Sequence, residues 1–147
     1  MNRLIDFSSR FRILKGGKIS LVVSAFLGGA IIANAAPSGG VVTSGNANIS
    51  QSGNVTNINQ SSQKASINWN DFSIKSNETV NFNQPNVNSI TLNRVVGTEK
   101  SVIDGALNAN GQVWILNSNG TLFGKNAKVN TSGLLVTTKN LSDDEDR

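Results

Sequence analysis

The 147-residue chain contains no Cys, His or Tyr and carries a formal net charge of +4, with a sequence pI of about 9.8. Five basic groups and one acidic group lie in residues 1–35, so residues 36–147 hold eight of each and are neutral overall. This balance argues against nucleic-acid binding through a basic surface, and the lack of Cys excludes stabilisation by disulfides.

Residues 1–35 have the organisation of a secretory signal peptide, which we expect to be helical. A positively charged start is followed by the apolar stretch Ile19–Ala33 and by the small-residue pattern Ala33-Asn34-Ala35. We therefore predict cleavage between Ala35 and Ala36. A transmembrane anchor is the alternative, but an apolar run of about 15 residues is short for a span that needs about 20.

After the predicted cleavage site, residues 36–45 are small and predict a flexible leader rather than a core element. Residues 46–140 are rich in Asn, Ser, Thr and Gly, and 20 of residues 36–147 are Asn, which disfavours helices. Disorder does not explain this polarity, because apolar β-branched and aromatic residues alternate with polar ones. The alternation is found in Ile67-Asn68-Trp69, Val80-Asn81-Phe82 and Ile90-Thr91-Leu92, and it predicts β-strands.

The strand-like segments recur at wide and nearly constant spacing. One series consists of Ile67, Ile90, Val113 and Leu135, and a second consists of Val80, Val102 and Leu122. A period of about 20–25 residues with more than one strand per repeat is typical of a solenoid, and the spacing of leucine-rich repeats is absent. The pattern predicts an all-β fold, a right-handed parallel β-helix of four or five coils, with Asn and Gly at its corners.

Several motifs in this region match a known family in its own order. They are Ser66-Ile67-Asn68-Trp69-Asn70-x-Phe72, Val80-Asn81-Phe82-x-Gln84-Pro85, Leu92-Asn93-Arg94-Val95, Ile103-x-Gly105-x-Leu107-x-Ala109-Asn110-Gly111-Gln112-Val113, Asn117-x-Asn119-Gly120, Phe123-Gly124 and Gly133-Leu134. From about Val41 to Thr138 the chain resembles the N-terminal secretion domain of filamentous-haemagglutinin-like and high-molecular-weight adhesins, the two-partner secretion domain.

The resemblance implies a right-handed β-helix with an N-terminal cap, export through the Sec machinery, and recognition in the periplasm by a dedicated outer-membrane β-barrel transporter. It implies no catalysis and no cofactor. The domain would target a much larger exoprotein, usually an adhesin and sometimes a cytolysin or toxin-delivery protein. We therefore expect a protein that is secreted or held at the cell surface of a Gram-negative bacterium.

The family's Asn-Pro-Asn-Gly motif is present here as Asn117-Ser118-Asn119-Gly120. Because Pro fixes φ, Ser at the second position leaves the turn possible but less rigid. The resemblance implies that this turn forms the transporter-recognition surface together with two other segments. These are Asn93-Arg94 and Gln84-Pro85-Asn86. For Arg94, pairing with a carboxylate is the alternative to facing the transporter.

The family's domain normally continues well beyond this length, so the resemblance implies a domain that is truncated at its C-terminal side. Residues 141–147 predict a solvated acidic tail, since the carboxylates lack the spacing and the Gly of a calcium loop. A non-functional remnant of a larger gene is one alternative to the targeting function. Direct binding of a host surface or glycan is another.

Other candidate sites have simpler explanations. The carboxylates of the central region form no catalytic or metal-binding motif; they are Asp71, Glu78, Glu99 and Asp104. Asp104 precedes Gly105 and is expected to be a turn residue. Trp69 and Trp114 could be carbohydrate platforms, but each lies in an apolar strand, so we expect at least one of them in the core.

Overall fold

The computed structural model describes residues 36–139, and these residues form twelve β-strands. The strands are β1 (Val41–Ser44), β2 (Ala47–Ser52), β3 (Val55–Gln60), β4 (Lys64–Trp69), β5 (Thr79–Asn83), β6 (Ile90–Val95), β7 (Ser101–Ile103), β8 (Ala106–Ala109), β9 (Gln112–Leu116), β10 (Thr121–Phe123), β11 (Lys128–Asn130) and β12 (Gly133–Thr137). No helix that could span a membrane is found between residues 36 and 139. The predicted signal peptide, residues 1–35, and the predicted acidic tail, residues 141–147, lie outside the described residues.

The strands form three sheets that are joined by a winding chain. Sheet 1 has the order β1-β4-β6-β9-β12, sheet 2 the order β11-β8-β5-β3-β2, and sheet 3 pairs β10 with β7. From β3 onward the chain passes from sheet 2 to sheet 1 and then toward sheet 3, and all pairs between successive passes are parallel. Crossovers between parallel strands are almost always right-handed. The described residues thus form about four turns of the predicted right-handed parallel β-helix.

The N-terminal end of the solenoid is closed by two antiparallel strands. β1 pairs with β4, and β2 pairs with β3. Before β1, the amide of Ser38 donates to the carbonyl of Asp71 at 2.9 Å, and the amide of Asn70 donates to the carbonyl of Ser38 at 2.9 Å. These strands satisfy the backbone groups that the first coil would otherwise leave open. Residues 36–45, which the sequence predicted to be a flexible leader, therefore contribute β1 to the cap.

The core is a stack of inward-pointing side chains. Its largest fully buried members are Trp69, Phe72, Phe82, Ile58, Ile67, Ile74, Ile103, Leu107, Ile115, Val80 and Val113. Phe72 joins two sheets, since its ring centroid lies 5.6 Å from that of Trp69 and 6.4 Å from that of Phe82. Trp69 is only 1% exposed, which confirms that at least one of the two Trp residues is a core residue.

The strand registers differ from the evenly spaced columns that the sequence predicted. Ile67 aligns with Asn93, Ile115 and Val136 rather than with Ile90, Val113 and Leu135. The repeat is uneven because the corner loops differ in length: the step along the chain from Ile67 to its partner Asn93 is longer than the step from Ile115 to its partner Val136. A polar residue therefore occupies an inward position that the apolar periodicity assigned to Ile.

The second predicted series is correct in part. Val102 pairs with Leu122 in sheet 3, as the sequence predicted. Val80, however, belongs to sheet 2 and pairs with Leu107. Each coil contributes more than one strand, and apolar residues in different sheets recur at similar spacing. Spacing alone therefore does not show to which sheet an apolar residue belongs.

Replacing Ile115, which is fully buried in β9, tests the inward columns. We expect Ile115→Ala to lower the free energy of unfolding by about 2–5 kcal/mol, through lost apolar burial and an unfilled cavity. Val87→Ala is the control, because Val87 is 62% exposed and exposed substitutions change stability by about 0.5 kcal/mol or less. Urea unfolding of both variants checks this, and equal effects would contradict the assignment of Ile115 to the core.

The Asp71 carboxyl at the cap provides a pH test. Burial raises the pKa of Asp71, the negative charge of Glu99 raises it further, and a hydrogen bond with the backbone of Phe72 opposes both effects. Because the pKa of Asp71 is higher in the folded than in the unfolded state, the protein loses stability as pH rises from the unfolded-state pKa through the folded-state pKa. It regains that stability when the carboxyl is protonated in acid. We expect Asp71→Asn to be more stable than the wild type at neutral pH. Thermal unfolding measured across pH checks this, and the difference in stability should disappear below the ordinary pKa of Asp. A difference that stays constant with pH would show that the charge of Asp71 is not its cause.

Candidate recognition site

The Asn117–Gly120 segment forms a tight turn directly after β9. The amide of Gly120 donates to the carbonyl of Asn117 at 2.9 Å, and the amide of Asn119 donates to Oδ1 of Asn117 at 2.9 Å. Gly120 has φ of 100°, a value that L side chains rarely adopt. Ser118 and Asn119 are exposed at the tip, so this turn presents two polar residues on a backbone that hydrogen bonds hold in place.

The side chain of Asn117 ties this turn to the preceding coil. Asn117 is 1% exposed, and its Nδ2 donates to the carbonyl of Glu99 and to Oγ of Ser101, both at 3.0 Å. The amide of Ser101 in turn donates to the carbonyl of Gly120 at 2.9 Å. Asn117 is therefore a buried anchor of the turn, and the exposed part of the predicted motif consists of its neighbours.

Asn93 does not belong to a surface in this structure. It is fully buried, and its Oδ1 accepts a hydrogen bond of 2.8 Å from Nε1 of Trp69. Its Nδ2 donates to the carbonyls of Trp114 at 3.2 Å and Thr91 at 3.3 Å. An amide at this inward position satisfies the indole N–H of Trp69, which would otherwise be buried without a partner. Of the predicted pair, only Arg94 reaches the surface, where it is half-buried.

The Gln84-Pro85-Asn86 segment lies at the other end of sheet 1. It precedes β6, whereas the Asn117–Gly120 turn follows β9. Since β9 has five residues at about 3.3 Å each, the two turns are separated by roughly 16 Å along the strands. The structure therefore brings Arg94 beside the Asn117–Gly120 turn but does not bring the Gln84–Asn86 turn to the same place.

Within that second turn, Gln84 is a structural residue. It is 7% exposed, and its Nε2 donates to Oγ1 of Thr91 at 3.0 Å and to the carbonyl of Gln112 at 2.8 Å. Its Oε1 accepts from the amide of Gly111 at 2.7 Å, and the hydroxyl of Thr91 donates to Oε1 of Gln60. These hydrogen bonds link the same corner of three successive coils. Sequence reasoning missed it, although Gln60 and Gln84 both stand at the end of a strand-like segment, one repeat apart.

Asn86 is exposed and completes the second turn with a side-chain pair. Its Nδ2 donates to Oε1 of Gln63 at 2.9 Å, and Nε2 of Gln63 donates back to Oδ1 of Asn86 at 3.2 Å. Pro85 is exposed beside it. Both ends of this amide pair are satisfied within the domain, so the turn is well defined without a ligand.

Stacked amides also occur along sheet 2, within strands rather than at the predicted corners. Nδ2 of Asn81 donates to Oδ1 of Asn57 at 3.1 Å, and Nδ2 of Asn108 donates to Oδ1 of Asn81 at 3.0 Å. Asn83 and Asn59 form a parallel pair at 2.8 Å. Such ladders add side-chain hydrogen bonds to each coil contact, which explains why so many Asn residues are compatible with a folded chain.

The remaining candidate residues have structural positions. Oδ1 of Asp104 accepts from the amide of Asn126 in the next coil at 2.9 Å, which agrees with its predicted role as a turn residue. Trp114 is half-buried, and its Nε1 donates to Oε1 of Gln112 at 3.2 Å. No group of three or more potential metal-ligating side chains is found among residues 36–139.

The described residues thus form a short capped β-solenoid with an exposed, hydrogen-bonded turn at Asn117–Gly120. Residues 33–147 match the TPS secretion domain family, so the chain belongs to this family of two-partner secretion domains. Its members are non-enzymatic secretion domains of exoproteins that Gram-negative bacteria secrete or expose at their surface.

Similar proteins come from Haemophilus influenzae. The crystal structure of the HMW1 secretion domain superposes with a TM-score of 0.70 at 41% sequence identity, covering 74% of this chain and 29% of that one. A heme/hemopexin-binding protein is 42% identical over 125 residues, which is 84% of this chain and 14% of the relative. A second protein of the same description is 45% identical over 84 residues, 57% of this chain and 9% of the relative. The chain thus spans a small part of these curated relatives.

The departure from the family motif at Ser118 leads to a stability prediction. Ser118 occupies the second position of the turn, where Pro is favoured because its fixed φ matches the turn. We expect Ser118→Pro to raise the free energy of unfolding by about 0.4–1 kcal/mol, mainly by restricting the unfolded chain. Urea unfolding checks this. A loss of stability would show that residue 118 does not adopt the φ that Pro requires.

Proposed function

We propose that this domain targets its exoprotein to an outer-membrane β-barrel transporter, which recognises the domain in the periplasm through the Asn117–Gly120 turn. The observation that carries the proposal is the construction of that turn. Its exposed tip, Ser118 and Asn119, stands on a backbone fixed by the buried Asn117 and by Gly120 with φ of 100°. A rigid exposed turn loses little conformational entropy when a partner binds. Membership of the two-partner secretion family supports a transporter as that partner.

Delivery to the periplasm would depend on residues 1–35 acting as a Sec signal peptide that is cleaved after Ala35. In the described residues, hydrogen bonds to the fold begin immediately after that point. The carbonyl of Pro37 accepts from Nε2 of Gln51 at 2.6 Å, and Ser38 pairs with Asp71. Cleavage there would leave an N-terminus that is long enough to form the complete cap.

Folding outside the cell would make export effectively one-way. From β5 onward, every strand except β7 pairs in parallel with a strand of the preceding coil, and Ile103 of β7 forms an isolated parallel bridge with Ile74. Coils can therefore be added one at a time as the chain emerges, each burying apolar surface on the last. A folded coil cannot return through a transporter that admits an extended chain.

The activity of the complete exoprotein is a separate question, because the chain covers only 14% and 9% of the two curated relatives. Those relatives are described as heme/hemopexin-binding proteins. Residues 2–147 contain no His, Cys, Tyr or Met, the usual axial ligands of haem iron. We therefore assign haem binding to no residue of this domain. Direct binding of a host surface or glycan by the domain itself is the alternative to targeting.

The first experiment is co-expression of the full chain with and without a two-partner secretion transporter from the same organism. We expect transporter-dependent release into the medium of a species whose mass begins at Ala36. Ser118→Trp should reduce release at least about tenfold by blocking contact with the turn. Ser52→Trp should not, because Ser52 is exposed at the β2–β3 turn in the cap.

Three outcomes would contradict the proposal. Release without the transporter would exclude this recognition route. Retention of the wild type in the periplasm despite the transporter would favour a non-functional remnant. Equal release of Ser118→Trp and Ser52→Trp would show that export does not depend on the Asn117–Gly120 turn. Thermal unfolding of both variants shows whether each retains the fold.

A further inference from the structure

The chain contains two Asn-Gly pairs, Asn110-Gly111 and Asn119-Gly120. In such a pair the backbone nitrogen of Gly can attack the side-chain carbonyl carbon of Asn. A C–N bond forms, and the side-chain nitrogen leaves as ammonia with the proton of the Gly nitrogen, which gives a five-membered succinimide ring. Water then opens the ring to Asp or to isoaspartate, so one water is consumed and one ammonia is released. Gly favours this reaction because no side chain hinders the attacking nitrogen.

The fold holds the first pair, Asn110-Gly111, away from this reaction. Gly111 is buried, and its amide donates to Oε1 of Gln84 at 2.7 Å. A Cβ on Gly111 would lie 2.7 Å from the carbonyl oxygen of Ser89 and 2.8 Å from that of Asn86, so this backbone has little room to move. Nδ2 of Asn110 donates to the carbonyl of Gln84 at 2.6 Å, and its Oδ1 accepts from the amide of Gln84 at 2.7 Å. Both reacting groups are therefore fixed against the preceding coil.

The second pair, Asn119-Gly120, has open surroundings in the turn after β9. Asn119 is exposed, and its Nδ2 donates to the carbonyl of Gly97 at 3.1 Å and to Oδ1 of Asn117 at 3.2 Å, near the long limit for such bonds. Among the described residues, no heavy atom beyond Gly120 and its chain neighbours lies within 4 Å of the point that a Cβ on Gly120 would occupy. The amide of Gly120 must leave the carbonyl of Asn117 before it can react, and an exposed turn can open locally without disturbing the core.

We propose that Asn119 is the site at which the folded domain loses a side-chain amide by spontaneous deamidation, and that this loss weakens recognition by the transporter. The second part rests on the proposed function and adds a form of regulation to it. In the product, an oxygen replaces Nδ2 and faces the carbonyl of Gly97 and Oδ1 of Asn117, which are both acceptors. The two hydrogen bonds are lost, and isoaspartate also lengthens the backbone by one carbon. A deamidated turn therefore no longer presents the original geometry to the transporter.

Peptide mapping by mass spectrometry tests the modification without the transporter. The purified chain is incubated at mildly alkaline pH, once folded and once in urea that unfolds it, and the content of Asp and isoaspartate at both Asn-Gly pairs is followed over time. In the folded chain we expect Asn119 to convert at least about tenfold faster than Asn110, because Asn110 can react only after its coil separates locally from the preceding one. In urea the two rates should agree within about threefold, because each Asn then precedes a Gly in an open chain.

Substitution tests the effect on recognition in the co-expression experiment. Asn119→Asp reproduces one deamidation product, and we expect it to reduce transporter-dependent release at least about threefold through the loss of two hydrogen bonds in the turn. Asn88→Asp is the matched control. Asn88 is also an exposed Asn, but it lies in the loop before β6, so its release should equal that of the wild type.

A partly deamidated sample of the wild type gives a second measurement that needs no variant. The sample is mixed with the purified periplasmic region of the transporter, and bound and unbound chains are mapped separately. We expect the unbound chains to be enriched in Asp and isoaspartate at position 119, because the deamidated turn binds more weakly.

The outcomes separate the modification from the proposed function. Equal rates at Asn110 and Asn119 in the folded chain, or the same difference in urea as in the folded chain, would overturn the modification site. An equal content of deamidated residue 119 in bound and unbound chains would overturn its effect on recognition, as would release of Asn119→Asp equal to that of Asn88→Asp. Retention of the fresh wild type despite the transporter would overturn the proposed function but not the modification site, which peptide mapping detects without a transporter.

Discussion

The stacking of each coil on the coil before it is the constraint on which the rest of this structure depends. A single coil cannot bury its own inward side chains, and the chain has no disulfide that could replace the missing core. The column Ile67–Asn93–Ile115–Val136 is continuous only because the strands of sheet 1 pair in parallel and in register. The antiparallel cap, β1 and β2, closes the end at which there is no earlier coil. The inward side chains of this domain are consequently buried only as its coils stack on one another.

Buried amides add specificity to this stack. Asn93 lies between Ile67 and Ile115 and satisfies the indole N–H of Trp69, while Gln84 joins Thr91 to the next coil. A slip of one residue would turn Asn93 toward solvent and leave the indole without its partner, at a cost of about 1–3 kcal/mol in addition to the exposed apolar surface. The polar residues of the interior therefore add to the preference for a single register that apolar burial already imposes.

The same stacking builds the surface that we assign to recognition. Asn117 holds its turn by bonding to Glu99 and Ser101 of the preceding coil, so the turn acquires its geometry only when its own coil lies on the coil before it. The recognition that we propose would therefore require a chain in which the coil of Asn117 already lies on the preceding coil.

The sequence by itself determined the all-β class, the repeating coils, the turn at Asn119-Gly120 and the structural role of Asp104, because alternation, Asn-Gly pairs and Asp-Gly pairs act through local backbone preferences. Only the tertiary structure decided the register, since corner loops of unequal length shift Ile67 from Ile90 to Asn93. It also decided that Asn93, Gln84 and Asn117 are buried and that residues 36–45 contribute a strand to the cap. Whether an amide faces a partner protein or a buried indole depends on contacts between residues that lie far apart along the chain. Local sequence patterns do not encode those contacts.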